Sequence, residues 1–231
     1  MTQFYDPEKK CIVYLGNKSD KSFWDRMWKR DGLPEAVRAS RNTFVSDITK
    51  EFLQPPAEVL EGGSGQGLHV HALQYNGFST TGVDYAEETV NELARCVPEL
   101  RVVHADIRCL PFKDLTFDAY WSLGVIEHFW GGYDDVIYEM KRVVRDGGFA
   151  FVTFPCISTL RRYKIKTNRY EVRTFGRAEP EDFYQFALDP LTVIQSFNRH
   201  GFKCQEVRYM DPLKGLKDDL LAYRPLIRWV Y

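Results

Sequence analysis

Residues 57–67, Ala-Glu-Val-Leu-Glu-Gly-Gly-Ser-Gly-Gln-Gly, join a short apolar run to a carboxylate and a cluster of glycines. A buried strand that feeds a glycine turn and then a helix aims backbone N–H groups and a positive helix end at a polar or anionic ligand. An open α/β sheet holds nucleotide-like molecules in this way. The spacing narrows the ligand further. Gly63, Gly65 and Gly67 recur at every second residue, and Leu68 stands where the dinucleotide fingerprint G-x-G-x-x-G needs its last glycine. Glu61 closes the strand, where a carboxylate repels a pyrophosphate and attracts an ammonium group. The turn therefore suits a nucleoside with a cationic tail better than a dinucleotide. Asp84 follows 19 residues after Gly65 and can accept both hydroxyl protons of a ribose through its two oxygens. Its competing reading is an ordinary turn residue. His128, with an ordinary pKa close to neutrality, is a candidate proton acceptor or a brace for its loop.

The elements that must position these groups alternate strand and helix, as in a parallel sheet. Strands are expected over 59–61, 78–84, 100–105, 117–123 and 149–154. Helices are expected from the glycine turn to about Asn76, over 86–96, and over 133–144, where Val136, Met140 and Val143 repeat at i, i+4, i+7. A further helix over 189–200 has Asp189 as cap and Pro190 in its first turn, and a strand is expected over 202–209. Carboxyl ends of parallel strands face one crevice, so Glu61, Asp84, Asp106 and Ser122 should converge there. Residues 1–50 read as a helical cap. Phe23, Trp24, Met27 and Trp28 share one helical face, and a second helix is expected from Pro34 to about Phe52. Residues 51–231 read as one domain carrying an insertion over about 156–188.

Composition bounds the partners. At 231 residues the chain can bury one full α/β core, and a formal charge of −1 disfavours general nucleic-acid binding. The five cysteines show no C-x-x-C pair and no His-Cys cluster, which points away from a metal site and towards reduced thiols in the cytoplasm. No apolar run is long enough to span a membrane, and none opens the chain as a signal peptide would. The oligomeric state is not legible.

From Glu61-Gly62-Gly63-Ser64-Gly65-Gln66-Gly67 onward, the chain resembles the class I S-adenosylmethionine-dependent methyltransferases. The same order of motifs continues through Asp84, Asp106, Leu110-Pro111-Phe112, Phe117-Asp118, Glu127-His128 and Gly147-Gly148, over roughly residues 50 to 210. The resemblance implies a Rossmann-like fold with a mostly parallel sheet, helices on both faces, and S-adenosyl-L-methionine as cofactor. It implies that Glu61 orients the cofactor's amino group, Asp84 holds the ribose, and Asp106 with Ile107 receives the adenine. Tyr85 packs beside the adenosine or lies on the surface. Ser122 and Leu123 would line the methionine arm, and the N-terminal element would cap the site. The family's seventh, antiparallel strand is not legible in 213–231, so either Phe183–Ala187 fills an edge position or the chain continues.

The acceptor is less defined. Residues 161–173 hold six basic residues and one acidic, in the position of a lid, which suggests a small anionic acceptor. The competing reading is a solvated charge run. Ser122-Leu123-Gly124-Val125 replaces the Asn/Asp-Pro-Pro-Tyr/Phe motif of base-directed amino methyltransferases, so O-methylation is expected ahead of N-methylation. A catalytically silent binding or scaffold protein on the same fold is the alternative.

Overall fold

The computed structural model describes residues 1–29 and 31–209. Its elements in chain order are β1 (Thr2–Asp6), β2 (Cys11–Leu15), α1 (Lys21–Trp28), α2 (Leu33–Ala39), α3 (Phe44–Phe52), β3 (Glu58–Gly62), α4 (Leu68–Tyr75), β4 (Ser79–Asp84), α5 (Glu87–Cys96) and β5 (Val102–His104). They continue with β6 (Phe117–Leu123), a 3-10 turn (Ile126–His128), α6 (Asp134–Val143), β7 (Val144–Thr153), α7 (Thr159–Lys166), β8 (Glu171–Val172), β9 (Phe183–Ala187) and α8 (Pro190–Arg199). No described helix is long and apolar enough to cross a membrane.

Five strands form the central sheet in the order β5-β4-β3-β6-β7, and every pairing is parallel. The chain order reverses between β3 and β6, which makes their carboxyl ends the natural crevice of the sheet. Successive side chains of β3 alternate between two covered faces. Val59 packs with Val45 of α3, Leu73 of α4, and Ala119 and Trp121 of β6. Leu60 packs instead with Val83, Tyr120 and the α6 residues Val136, Met140 and Val143. The i, i+4, i+7 row of α6 is thus the buried face that its spacing predicts.

The N-terminal segment departs from a purely helical cap. Residues 2–15 form an antiparallel hairpin, with Thr2 opposite Leu15 and Asp6 opposite Cys11. The aromatic spacing of 23–28 is helical, but Cys11-Ile12-Val13-Tyr14-Leu15 is a short β-branched run buried on both faces. Ile12 and Tyr14 pack with Ile157 and Tyr170, while Val13 and Leu15 face the central core. The single helix expected from Pro34 to Phe52 is two. Thr43 caps α3 in a reciprocal capping box with Ser46, which starts a new helix after the break at Ser40–Asn42.

The insertion completes a second sheet. β9 pairs antiparallel with β2 (Val13 opposite Phe186), β8 lies parallel to β1, and the order is β8-β1-β2-β9. Phe183–Ala187 is therefore not an edge strand of the central sheet. Trp130, in the loop after β6, joins the two sheets: it stacks on Phe186 and donates from its indole to the Arg177 carbonyl at 2.9 Å. Residues 202–209, expected as a strand, are irregular, and Arg208 reaches across to Glu51 of α3 at 2.6 Å. The expectation for 213–231 lies outside the described residues.

Asp6 ties the hairpin to the insertion. Its fully buried carboxylate accepts N–H groups of Glu8 and Lys9 at 2.9 and 3.0 Å and, on its other oxygen, the N–H of Phe175 at 3.0 Å. Asp6→Ala should lower unfolding stability in urea by about 1–3 kcal/mol, because buried donors lose their acceptor. Asp6→Asn, which keeps one acceptor oxygen, should recover part of that loss.

Candidate functional site

The glycine turn hangs from the neighbouring strand. N–H groups of Gly63 and Ser64 both donate to the Val83 carbonyl, at 2.8 and 2.9 Å, and Gly67 N–H donates to Ser64 O at 2.9 Å. At two positions the fold demands glycine. A Cβ on Gly62 would lie 1.9 Å from the Tyr120 hydroxyl, and Gly67, with φ +69°, caps α4 where a Cβ would come 2.5 Å from Leu100. Leu68 begins α4, so the chain has no use for the last glycine of a dinucleotide fingerprint.

Four buried polar groups converge at this end of the sheet. Gly62 is opposite Ser122, and Glu61 is flanked by Gly82 and Trp121 in the ladders. Glu61 is 2% exposed and its Oε2 meets no protein donor; Ser64 Oγ and Ser122 Oγ are likewise buried without a partner. Burial, then the neighbouring Asp84, pushes the Glu61 carboxyl well above the usual range, while a hydrogen bond from Val70 N–H pulls it down. Asp84 is 6% exposed, with Oδ2 accepting Gly65 N–H at 2.6 Å and Oδ1 accepting Ala86 N–H at 2.8 Å. Burial raises its pKa despite those bonds.

The other sequence-derived candidates separate into two groups. Leu123 is half-buried beside Ser122, whereas Tyr85 is 49% exposed. Asp106 is gripped by its own Arg108, at 2.6 Å for the closest contact, and that guanidinium holds its carboxyl below the usual range. Ile107 is a core residue packed with Leu110. The Leu110–Phe112 stretch is pinned by α6: Leu110 N–H donates to Glu139 at 2.7 Å, and Arg142 donates to the Leu110 and Phe112 carbonyls. Its role is to fix the loop.

His128 is held by the second sheet. Its Nδ1 lies 2.7 Å from the Tyr184 carbonyl, so Nδ1 carries the proton and Nε2 is the acceptor of a neutral ring. Burial pushes its pKa down to about 4 against the opposing effect of that carbonyl. Above it lies α1. The Trp24 ring meets His128 edge-on at 4.9 Å and stacks with Trp28 at 5.7 Å. Trp28 in turn lies over Gly65, where a Cβ would be 3.0 Å from the indole, and its carbonyl receives the Gln66 amide at 2.9 Å. Sequence spacing puts Trp24 and Trp28 on one helical face but does not reveal what that face covers. Tyr184 gives no sequence signal at all, since its relation to His128 exists only through the β2–β9 pairing. Two open grooves of about 450 and 500 Å³ lie elsewhere, at the amino ends of β3 and β4 and between α1 and α5.

The basic run of the insertion is largely engaged within the protein. Arg161 is buried with one nitrogen on the Cys156 carbonyl, Arg162 pairs with Asp189 at 2.6 Å, and Arg173 stacks over Phe4 and Phe175. No cluster able to hold a metal ion occurs among the described residues.

A buried acid with a raised pKa makes stability pH-dependent. Above the unfolded value near 4.5, the native state retains a proton that the unfolded state releases, so the Glu61 contribution is lost as pH rises through the native pKa. Glu61→Gln should therefore melt higher than the parent at about pH 8, with the difference shrinking at about pH 5. A pH-independent difference in thermal melts would remove this account.

Residues 60–152 match the family model described as a methyltransferase domain. A protein of Mycolicibacterium smegmatis named a "probable S-adenosylmethionine-dependent methyltransferase" is 32% identical over 98 residues, 42% of this chain and 38% of that one. A ubiquinone biosynthesis O-methyltransferase of Xanthomonas campestris is 29% identical over 110 residues, 45% of this chain and 46% of the relative. The chain thus spans less than half the length of these curated relatives. Among solved structures, the [4+2]-cyclase SpnF superposes with a TM-score of 0.60 at 17% identity, covering 92% of this chain and 84% of that one; the likeness is one of fold. A glycine turn without the dinucleotide's last glycine and the match to a methyltransferase-domain model fall on the same part of the chain, and over that part it is similar to S-adenosylmethionine-dependent methyltransferases.

Proposed function

We infer that the protein transfers a methyl group from S-adenosylmethionine to a small acceptor, with oxygen favoured over nitrogen as the atom methylated. The observation that carries this reading is the set of buried, unpartnered oxygens on Glu61, Ser64 and Ser122 around the glycine turn. Such groups are costly unless a ligand completes them. Their chemistry fits the cofactor: Glu61 would take the ammonium, Ser122 and Leu123 the methionine arm, and Asp84 the ribose in exchange for its bonds to Gly65 and Ala86. Tyr85, Asp106 and Ile107 stand on the adenine side, with Asp106 having to share its carboxylate with Arg108.

When bound, this cofactor supplies an activated methyl on a sulfonium with a neutral leaving group. The protein then has to align the acceptor and exclude water. His128 suits alignment better than strong base catalysis, because a ring with a pKa of about 4 takes protons poorly at neutral pH while its Nε2 still accepts a hydrogen bond. The O-methyltransferase relative supports oxygen as acceptor atom. A small molecule rather than a nucleic acid is favoured by the net charge of −1 and by the internal partners of the basic run. Five free cysteines support a reducing, cytoplasmic setting.

Asp84→Ala should weaken S-adenosylmethionine binding in calorimetry by roughly 1–3 kcal/mol, the cost of leaving the ribose hydroxyls without their acceptor. Absence of binding by the parent protein would favour a scaffold over an enzyme. For His128, the rate should show no inflection near the ordinary imidazole pKa of about 6.5. An inflection there that disappears in His128→Asn would establish a base instead.

A further inference from the structure

Tyr120 carries a hydroxyl that packing alone does not explain. The residue is fully buried in the core with Leu60 and Val83, yet its oxygen meets no hydrogen-bond partner among the described residues. A phenylalanine would fill the same space without stripping water from a polar group. Burial, then the Glu139 charge, raises the pKa of the phenol, so it keeps its proton and acts as a donor. Glu139 itself is occupied, accepting Leu110 N–H at 2.7 Å and the Arg142 guanidinium at 2.6 and 2.7 Å.

The hydroxyl stands at the carboxyl end of the sheet. In the β3–β6 ladder Tyr120 is opposite Leu60 and Ser122 is opposite Gly62. The Tyr120 ring runs along the strand until its oxygen reaches Gly62, where a Cβ would lie 1.9 Å from it. Ser122 Oγ, on the same face of β6, is also buried without a partner. Glu61 and Ser64 belong to the opposite face. Alternation puts Glu61 with Val59 towards α4, where Val70 N–H bonds it, and Ser64 Oγ lies against Gly82 on that side. The end of β3 thus presents an acid on one face and two neutral O–H donors on the other. Gly62, the residue between them, has no side chain to separate them. An α-amino acid group is the complement of this arrangement, with an ammonium and a carboxylate on one carbon.

Resting on the reading of S-adenosylmethionine as cofactor, we propose that Tyr120 Oη and Ser122 Oγ both donate to the carboxylate of its methionine arm while Glu61 takes the ammonium from the other face. Tyr120 is then a binding residue for the cofactor rather than a core residue alone. The same contact explains why Gly62 tolerates no side chain: a Cβ there would displace the donor.

The test is calorimetry with S-adenosylhomocysteine, with its decarboxylated analogue (ammonium kept, carboxylate absent) and with methylthioadenosine, which lacks both charged groups. Tyr120→Phe should weaken S-adenosylhomocysteine about tenfold and leave the other two within about twofold. Ser122→Ala should repeat that selectivity. Without ligand, Tyr120→Phe should melt no lower than the parent, because the hydroxyl bonds to nothing in the folded chain. Unchanged affinity for S-adenosylhomocysteine, equal weakening of all three nucleosides, or a lower melting temperature of the unliganded variant overturns the proposal. Failure of the parent to bind any of the three would instead overturn the cofactor reading beneath it, and this assignment with it.

Discussion

A carboxyl group at the end of a buried parallel strand, with one oxygen facing no donor in the protein, sets the terms for the rest of the site. Glu61 is surrounded by strands on both sides and by Asp84 nearby, so its charge is disfavoured by burial and by a like neighbour together. A core that only had to be stable would replace it. Its presence is understandable if a cationic group arrives to neutralise it, and the unpartnered Ser64 and Ser122 hydroxyls beside it mark the same opening.

The fold places that opening at the point where the chain order of the central sheet reverses, between β3 and β6. Tyr120 presses on Gly62 from one side and Leu100 on Gly67 from the other, so the turn cannot relax into a closed loop without losing core contacts. The second sheet gives the crevice its far wall. It does so by joining the first residues of the chain to an insertion more than 150 positions later, as in the Asp6 to Phe175 bond with a separation of 169. α1 lies over both walls through Phe23 against Tyr184, Trp24 against His128 and Trp28 over Gly65, although none of its residues is fully buried.

Much of this was legible from residue order. The five parallel strands, the helix over 134–143 and the Pro190 helix follow from period and capping chemistry. Their signals are local, since a hydrophobic row or a cap is complete within one element. The hairpin at 2–15 was not legible, because β2 is buried along its whole length and carries no alternation, while β1 is only five residues long and buries an aspartate. The internal partners of Arg161, Arg162 and Asp106 were not legible for a related reason: a charged residue in sequence gives no sign of which groups within the protein it will meet.

The sequence by itself determined the strands and the turn that bear Glu61, Gly65 and Asp84, and with them the methyltransferase resemblance, because those residues act through backbone geometry set by their immediate neighbours. Only the tertiary structure decided that Asp84 grips Gly65, that Trp24 and Trp28 roof the crevice, and that His128 is braced by Tyr184. Each of those contacts joins residues far apart in the chain, and its geometry depends on how separate elements pack against each other rather than on any local preference.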